Sequence, residues 1–121
     1  MVTTVLEHNS VLRPLYEMEE KRVEVTILPC DEYGMVYPED FICAVRPNTK
    51  AFICYTWIKF NRKCAGCSKH WCSSQGEGIR FCWWMPSQTA GVFDIDVQKM
   101  NIDILCFTGH KGLLGPQGTG G

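Results

Sequence analysis

The residue composition changes abruptly at residues 55–86, and this break limits what the whole chain can fold into. The segment holds all four tryptophans and four of the eight cysteines, yet it contains no valine, leucine or aspartate. It carries five Lys/Arg and one Glu, a net charge of +4, whereas the other 89 residues carry seven Lys/Arg and twelve Asp/Glu, a net charge of -5. One domain does not normally change its residue usage so sharply. The flanks and the segment 55–86 are therefore interpreted separately.

The flanks have the composition of an ordinary globular domain. A length of 121 residues is enough for one domain with a modest core, and 45% hydrophobic residues argue against disorder. The formal charge of -1 argues against a general binder of nucleic acid or of anionic membranes. No apolar run approaches the ~18 residues of a membrane span, and no secretory signal is visible, so a cytoplasmic location is expected.

Strand-like and helix-like patterns alternate along the flanks. Runs of β-branched and apolar residues predict four strands, at 2–6, 23–28, 50–54 and 102–107. Helical spacing and capping residues predict three helical stretches, at 10–21 with Asn9 or Ser10 as the cap, from Pro38 onward, and within 92–100. This alternation is typical of an α/β fold with an open, mostly parallel sheet, whose ligands bind at the carboxyl ends of the strands.

Two polar clusters follow predicted strands and therefore belong at that edge of the sheet. The first is Glu7-His8-Asn9, and the second is Thr108-Gly109-His110-Lys111. A partly buried lysine amine can attack a carbonyl carbon, and a neighbouring hydroxyl and imidazole suit a phosphate group. The four residues of the second cluster, taken alone, fit a solvated loop lysine better.

Longer stretches of the flanks resemble the class V aminotransferase family, and within it the cysteine desulfurases. They read TTVLEHNSVLRPL, VEVTILPCDEYGMVYPEDF, RPNTKAFIC and SQTAGVFDIDVQKMNIDILCFTGHKGLLGPQGTGG. The resemblance covers residues 2–54 and 87–121, and the GHKGLLGPQGTGG stretch is its long and specific part. It implies the three-layer α/β/α large domain of the fold-type I enzymes that use pyridoxal 5'-phosphate (PLP). Only part of that domain is expected within 1–121, without the small C-terminal domain.

The resemblance also implies a role for each of five residues. Lys111 matches the lysine that forms the internal aldimine with PLP. His8 matches the histidine stacked on the pyridine ring, and Gln88 matches the glutamine that bonds the 3'-oxygen. Thr108 and His110 match residues on the phosphate side. Complete relatives are implied to be homodimers that take sulfur from an amino acid, with cysteine as the expected substrate, and pass it to an acceptor thiol.

Two departures from the family pattern predict that this chain has little or no activity. The family has an aspartate two residues before Ser-Gln, paired with the pyridine nitrogen, where this chain has Met85. A polar stretch that follows the strand at 50–54 in the family reads Tyr-Thr-Trp-Ile-Lys-Phe-Asn here. In addition, none of the eight cysteines matches the family's persulfide cysteine.

Both departures fall within 55–86, and the genetic code suggests why. The codons of Cys82-Trp83-Trp84-Met85-Pro86, read from the third base of the first codon, spell Leu-Val-Asp-Ala without ambiguity. That reading restores the missing aspartate. We therefore hypothesise that 55–86 is a frame-shifted translation, which is not expected to pack.

Two other functions remain open for this segment. Cys64, Cys67, His70 and Cys72 offer four zinc-type ligands, which fits a small zinc-binding module. The gaps are short and the second half of the usual two-pair spacing is missing, so no metal site is expected. A non-catalytic interaction protein is the other alternative.

Overall fold

The computed structural model describes residues 1–55, 81–100 and 102–121. Within them it has five strands and two α-helices, in the order β1 Val2–Thr4, α1 Asn9–Glu20, β2 Thr26–Leu28, α2 Pro38–Ala44, β3 Ala51–Tyr55, β4 Phe81–Met85 and β5 Ile104–Leu105. All strand pairs are parallel, and the sheet order is β2-β1-β3-β4-β5. The predicted α/β class with a parallel sheet is therefore confirmed. Neither of these helices is long and apolar enough to cross a membrane.

The two helices cover opposite faces of the sheet. Val11 and Leu15 of α1 form a buried cluster with Ile53 of β3. Phe41 of α2 lies in a second cluster with Phe52, the neighbouring residue of the same strand. Because successive strand residues point to opposite faces, these clusters mark the two sides of a three-layer arrangement. The crossover from β1 to β2 and the crossover from β2 to β3 run in opposite directions along the sheet, and right-handed crossovers then require their helices on opposite faces.

Helix α1 begins one residue earlier than predicted, and its cap is a different residue. The side chain of His8 accepts a hydrogen bond from the backbone N–H of Ser10, and the His8 backbone is extended, as in an N-cap. The predicted caps Asn9 and Ser10 are instead the first residues of the helix. A small polar residue is the commoner cap, so the sequence pattern favoured Asn9 or Ser10 over an imidazole.

The largest correction concerns β4, which lies inside the anomalous segment. Residues 81–85 pair in full register with β3, from Ala51 opposite Phe81 to Tyr55 opposite Met85. Trp84 is only 7% exposed, and Trp83 packs against the α1 cluster. The expectation that the sequence of this segment would not pack is therefore wrong for residues 81–85. Strand β4 lies between β3 and β5, and an inner strand of a parallel sheet is typically a continuous apolar run, which Phe-Cys-Trp-Trp-Met supplies whatever its origin.

The predictions for the following segment are also corrected. Residues 92–100 contain turns, and no α-helix is found in this part of the described chain. Strand β5 is shorter than the predicted 102–107 and pairs with β4 only through Ile104 and Leu105. Both differences leave the segment 86–121 built mainly from loops.

Candidate functional site at the carboxyl edge of the sheet

The five residues singled out in the sequence all follow strands and lie on loops at one edge of the sheet. His8 follows β1, Gln88 follows β4, and Thr108, His110 and Lys111 follow β5. Because every strand runs in the same direction, their carboxyl ends share one edge. Open α/β sheets bind their ligands outside this edge. The sheet therefore brings three separate parts of the sequence to one side of the molecule.

The strand order reverses next to β1, at the carboxyl edge of the sheet. The chain passes from β1 to β2 on one side and then to β3 on the other, and ligands bind at such switch points. The residues here are the buried Glu7 after β1 and Cys54 near the end of β3. The Glu7 carboxylate accepts a hydrogen bond of 3.0 Å from the Thr4 hydroxyl. Burial, followed by the negative charge of Glu7, raises the pKa of the Cys54 thiol well above its ordinary value.

His8 is exposed, and one of its ring nitrogens is committed to the helix it caps. Nδ1 lies 3.1 Å from the Ser10 nitrogen and 2.9 Å from the Ser10 Oγ. A nitrogen that accepts from a backbone N–H carries no proton, so Nε2 carries it in the neutral ring. The ring is thus fixed through one edge beside the switch point, and its faces remain available for a flat ligand.

The loops after β4 and β5 meet each other. The Thr108 hydroxyl donates a hydrogen bond of 3.2 Å to the backbone carbonyl of Ser87, next to Gln88. Gln88 and His110 are exposed, whereas Lys111 is half-buried. Lys111 also closes a turn, because its carbonyl accepts from the N–H of Leu114 at 2.9 Å. The structure thus joins the Gln88 and Lys111 loops directly, while His8 reaches the same edge from β1.

Met85 ends β4 just before this site. It packs against the apolar cluster of Val11, Leu15 and Ile53 beneath α1. Its thioether sulfur carries no charge and is only a weak hydrogen-bond acceptor. This position therefore offers no partner to a protonated ring nitrogen.

The side chains present fit most of the cofactor that the sequence resemblance implies. An amine, an imidazole, an amide and a hydroxyl suit its aldehyde, its flat ring, its 3'-oxygen and its phosphate, whereas the Met85 thioether does not suit its ring nitrogen. Thr89 is a further polar residue of this edge, and no sequence pattern singles it out. Its hydroxyl is buried and has no hydrogen-bond partner within the described residues. A buried hydroxyl without a partner costs free energy, so a polar group from outside these residues is expected to reach it.

The described residues cover only part of the chain that contains possible metal ligands. Among residues 1–55, 81–100 and 102–121, no three Cys, His, Asp or Glu side chains come together as metal ligands. The four candidate zinc ligands between Cys64 and Cys72 lie outside the described residues. The zinc-module alternative therefore stays a prediction.

Comparison with known proteins agrees with the family resemblance. A sequence profile described as "Aminotransferase class-V" matches residues 77–121. The chain is 34% identical over 125 residues to "Cysteine desulfurase IscS" of Acinetobacter baumannii (strain AYE), covering 99% of this chain and 29% of that protein. It is 32% identical to "Probable cysteine desulfurase, mitochondrial" of Schizosaccharomyces pombe, covering 99% of this chain and 24% of that protein. The chain thus spans less than a third of the length of these relatives.

Solved structures share the fold. The structure described as "SspA in complex with cysteine" superposes with a TM-score of 0.81 at 25% identity, over 98% of this chain and 34% of that one. The apo cysteine desulfurase of Thermococcus onnurineus NA1 superposes with a TM-score of 0.73 at 23% identity, over 98% of this chain and 30% of that one.

Proposed function

The chain belongs to the family of class-V aminotransferases and cysteine desulfurases, and from this premise we propose that it is the PLP-holding part of a desulfurase-like enzyme. The proposed substrate is a small amino acid with a thiol, of which cysteine is the simplest. A structural neighbour at 25% identity is described as complexed with cysteine, which supports this choice. Transfer of the sulfur to an acceptor thiol and assembly as a homodimer belong to the same proposal.

One observation carries the proposal more than the others. Three sequence-distant loops, containing His8, Gln88 and Lys111, lie at the carboxyl edge of one all-parallel sheet. A side chain from each would meet a different part of the same flat cofactor. The residues Thr108-Gly109-His110-Lys111 alone are compatible with a solvated loop. A half-buried Lys111 beside this edge of the sheet fits a covalent attachment point better.

Each side chain is assigned one task. Lys111 would bind PLP covalently through its amine and later move a proton at the α-carbon of the substrate. His8 would orient the cofactor ring by stacking, since its ring is held through Nδ1. Gln88 would donate its amide to the 3'-oxygen, and His110 would face the phosphate. When bound, PLP supplies the electron sink that weakens bonds at the α-carbon.

Met85 sets the expected level of activity. The electron sink is strongest when the ring nitrogen is protonated, and a neighbouring carboxylate stabilises that protonated form. Met85 is uncharged and packs into an apolar cluster. We therefore propose that the chain retains PLP but releases sulfur from cysteine slowly or not at all.

A PLP titration followed by borohydride reduction tests the proposal. The wild-type chain is expected to gain one irreversibly attached phosphopyridoxyl group per chain, and Lys111→Ala is expected to gain none. Lys21→Ala is the matched control, because Lys21 is an exposed lysine at the end of α1. Equal labelling of the wild type and Lys111→Ala would contradict the proposal.

A further inference from the structure

The loop after β4 (residues 86–93, the β4 loop) and the loop after β5 (residues 106–115, the β5 loop) contact each other at two points. At the first point, the hydroxyl of Thr108 donates to the backbone carbonyl of Ser87 at 3.2 Å. A carbonyl oxygen can only accept, so the Thr108 hydroxyl is the donor in this bond.

The second contact is made by glycines packed backbone to backbone. A Cβ atom added to Gly112 would lie 2.4 Å from the carbonyl oxygen of Ala90, and one added to Gly91 would lie 2.7 Å from the carbonyl carbon of Gly112. Such distances leave no room for any side chain at these two positions. The close approach of the loops therefore depends on the absence of both Cβ atoms.

The two contacts enclose the residues with proposed chemistry. On the β4 loop, Gln88 lies between Ser87 and Ala90. On the β5 loop, Lys111 lies between Thr108 and Gly112. Each of the two side chains therefore projects from a short segment that is fixed on both sides against the other loop.

We propose that these contacts form a clasp that sets the separation of Gln88 and Lys111, with Thr108 as a positioning residue. The proposal rests on the proposed function for the chemistry of those two side chains, whereas the clasp itself is a property of the cofactor-free chain. It assigns Thr108 a task in addition to the one implied by the family resemblance. In the cofactor-free chain, the Thr108 hydroxyl donates its proton to the Ser87 carbonyl and so links the two loops.

Removing the Thr108 hydroxyl tests the first contact without any cofactor. Thr108→Val keeps the side-chain shape but removes the donor. It is expected to speed hydrogen exchange in the β4 loop, at the amide of Ala90, which donates to the carbonyl of Pro86 at 2.8 Å. We expect an acceleration of about tenfold, the size of a lost local contact. Thr108→Ser keeps the hydroxyl and should restore slow exchange. Unchanged exchange in Thr108→Val would overturn the positioning role.

Gly91→Ala tests the second contact, with Gly34→Ala as its control. Both glycines have left-handed backbones, with φ of +82° and +71°, so both variants are strained by the new side chain. Only Gly91 faces the β5 loop, since nothing lies within 4 Å of a Cβ added at Gly34. Gly91→Ala is expected to speed exchange at the amide of Gly109 by about tenfold or more, and Gly34→Ala is expected to leave it unchanged. Equal effects of the two variants would overturn the clasp.

The same variants connect the clasp with the cofactor. After addition of PLP, Gly91→Ala and Thr108→Val are expected to shift the absorption maximum of the adduct and slow its formation, and Thr108→Ser should recover both. If the wild type binds no PLP at Lys111, the proposed function fails, but the exchange experiments still decide whether the clasp exists. If PLP binds and the amide exchange does not respond, the clasp alone fails.

Discussion

Residues 1–55 and residues 81–121 share one sheet but are built differently. The first region contributes three strands and both described helices, and its core residues include Phe41 and Phe52, whose rings meet edge to face at 6.1 Å. The second region has two strands followed by loops that depend on close glycine contacts. Four of the five candidate site residues lie in this second region, and His8 comes from the first.

This difference indicates that the first region mainly stabilises the fold, whereas the second region carries most of the side chains proposed to bind the cofactor. Burial of large apolar side chains between layers stabilises the first region, because the hydrophobic effect scales with the area removed from water. The second region holds polar side chains at the carboxyl edge of the sheet, where a continuous apolar layer would exclude a ligand. Substitutions should therefore affect stability most in the first region and cofactor binding most in the second.

The largest effect on stability is expected in the first region at Phe41, which is 1% exposed. Phe41→Ala removes a ring from the cluster beneath α2 and is expected to lower the free energy of unfolding by about 3–5 kcal/mol. Ile42→Ala is the control, since its neighbouring side chain is 46% exposed, and it should cost far less. Urea unfolding measures both. Similar losses of unfolding free energy in the two variants would contradict the assignment of Phe41 to the core.

A medium effect is expected at Met85, where the two regions meet. Met85→Asp puts a carboxylate into an apolar cluster, so it is expected to lower the free energy of unfolding by about 1–3 kcal/mol. It is also expected to raise the rate of sulfide release from cysteine in the presence of PLP and a reducing thiol, because it supplies the missing carboxylate. Met85→Leu keeps the cluster apolar and should show neither effect. A destabilised Met85→Asp chain that binds PLP without faster sulfide release would contradict the role given to this position.

The smallest effect is expected in the loop between β2 and α2, on the surface of the first region. Three groups hold the pKa of Asp31 below its ordinary value of 3.8, namely the N–H of Met35 above all, the Tyr37 hydroxyl and the N–H of Tyr33. A carboxyl group whose pKa is lowered by folding stabilises the fold above its unfolded pKa and loses that effect as the pH falls through the folded value.

The Asp31 prediction is measured as a difference between variants. Asp31→Asn is expected to be less stable than the wild type at pH 6, and the gap should narrow as the pH falls below 3.8. Glu32→Gln makes the same change of charge one residue further on and is the control. A stability difference between the wild type and Asp31→Asn that stays constant between pH 6 and pH 2 would contradict this role of Asp31.

The regular elements of the first region could be predicted because their signals are local. Helix α2 begins at the predicted proline, and strands β1 and β3 lie within or next to the predicted runs. Strand β4 could not be predicted in the same way. Its sequence looked foreign to the fold, and its strand state depends on pairing with Ala51–Tyr55, some 30 residues earlier. Such pairing is a non-local property.

The candidate site residues are predictions from the sequence, whereas the contacts between the loops that carry them could not be predicted from it. His8, Gln88 and Lys111 were recognised from family-like stretches, and the parallel sheet then explains why they share one edge. No pattern indicated that Gly91 approaches Gly112, since the contact joins loops about twenty residues apart. The cap formed by His8 was missed because an imidazole is a rare cap.

The most direct test of the central claim is to locate the attached cofactor within the chain. The wild-type protein would be incubated with PLP, reduced with borohydride, digested and mapped by mass spectrometry. The account predicts a single modified peptide with the phosphopyridoxyl group on Lys111. Modification spread over other lysines such as Lys21, with Lys111 unmodified, would contradict it.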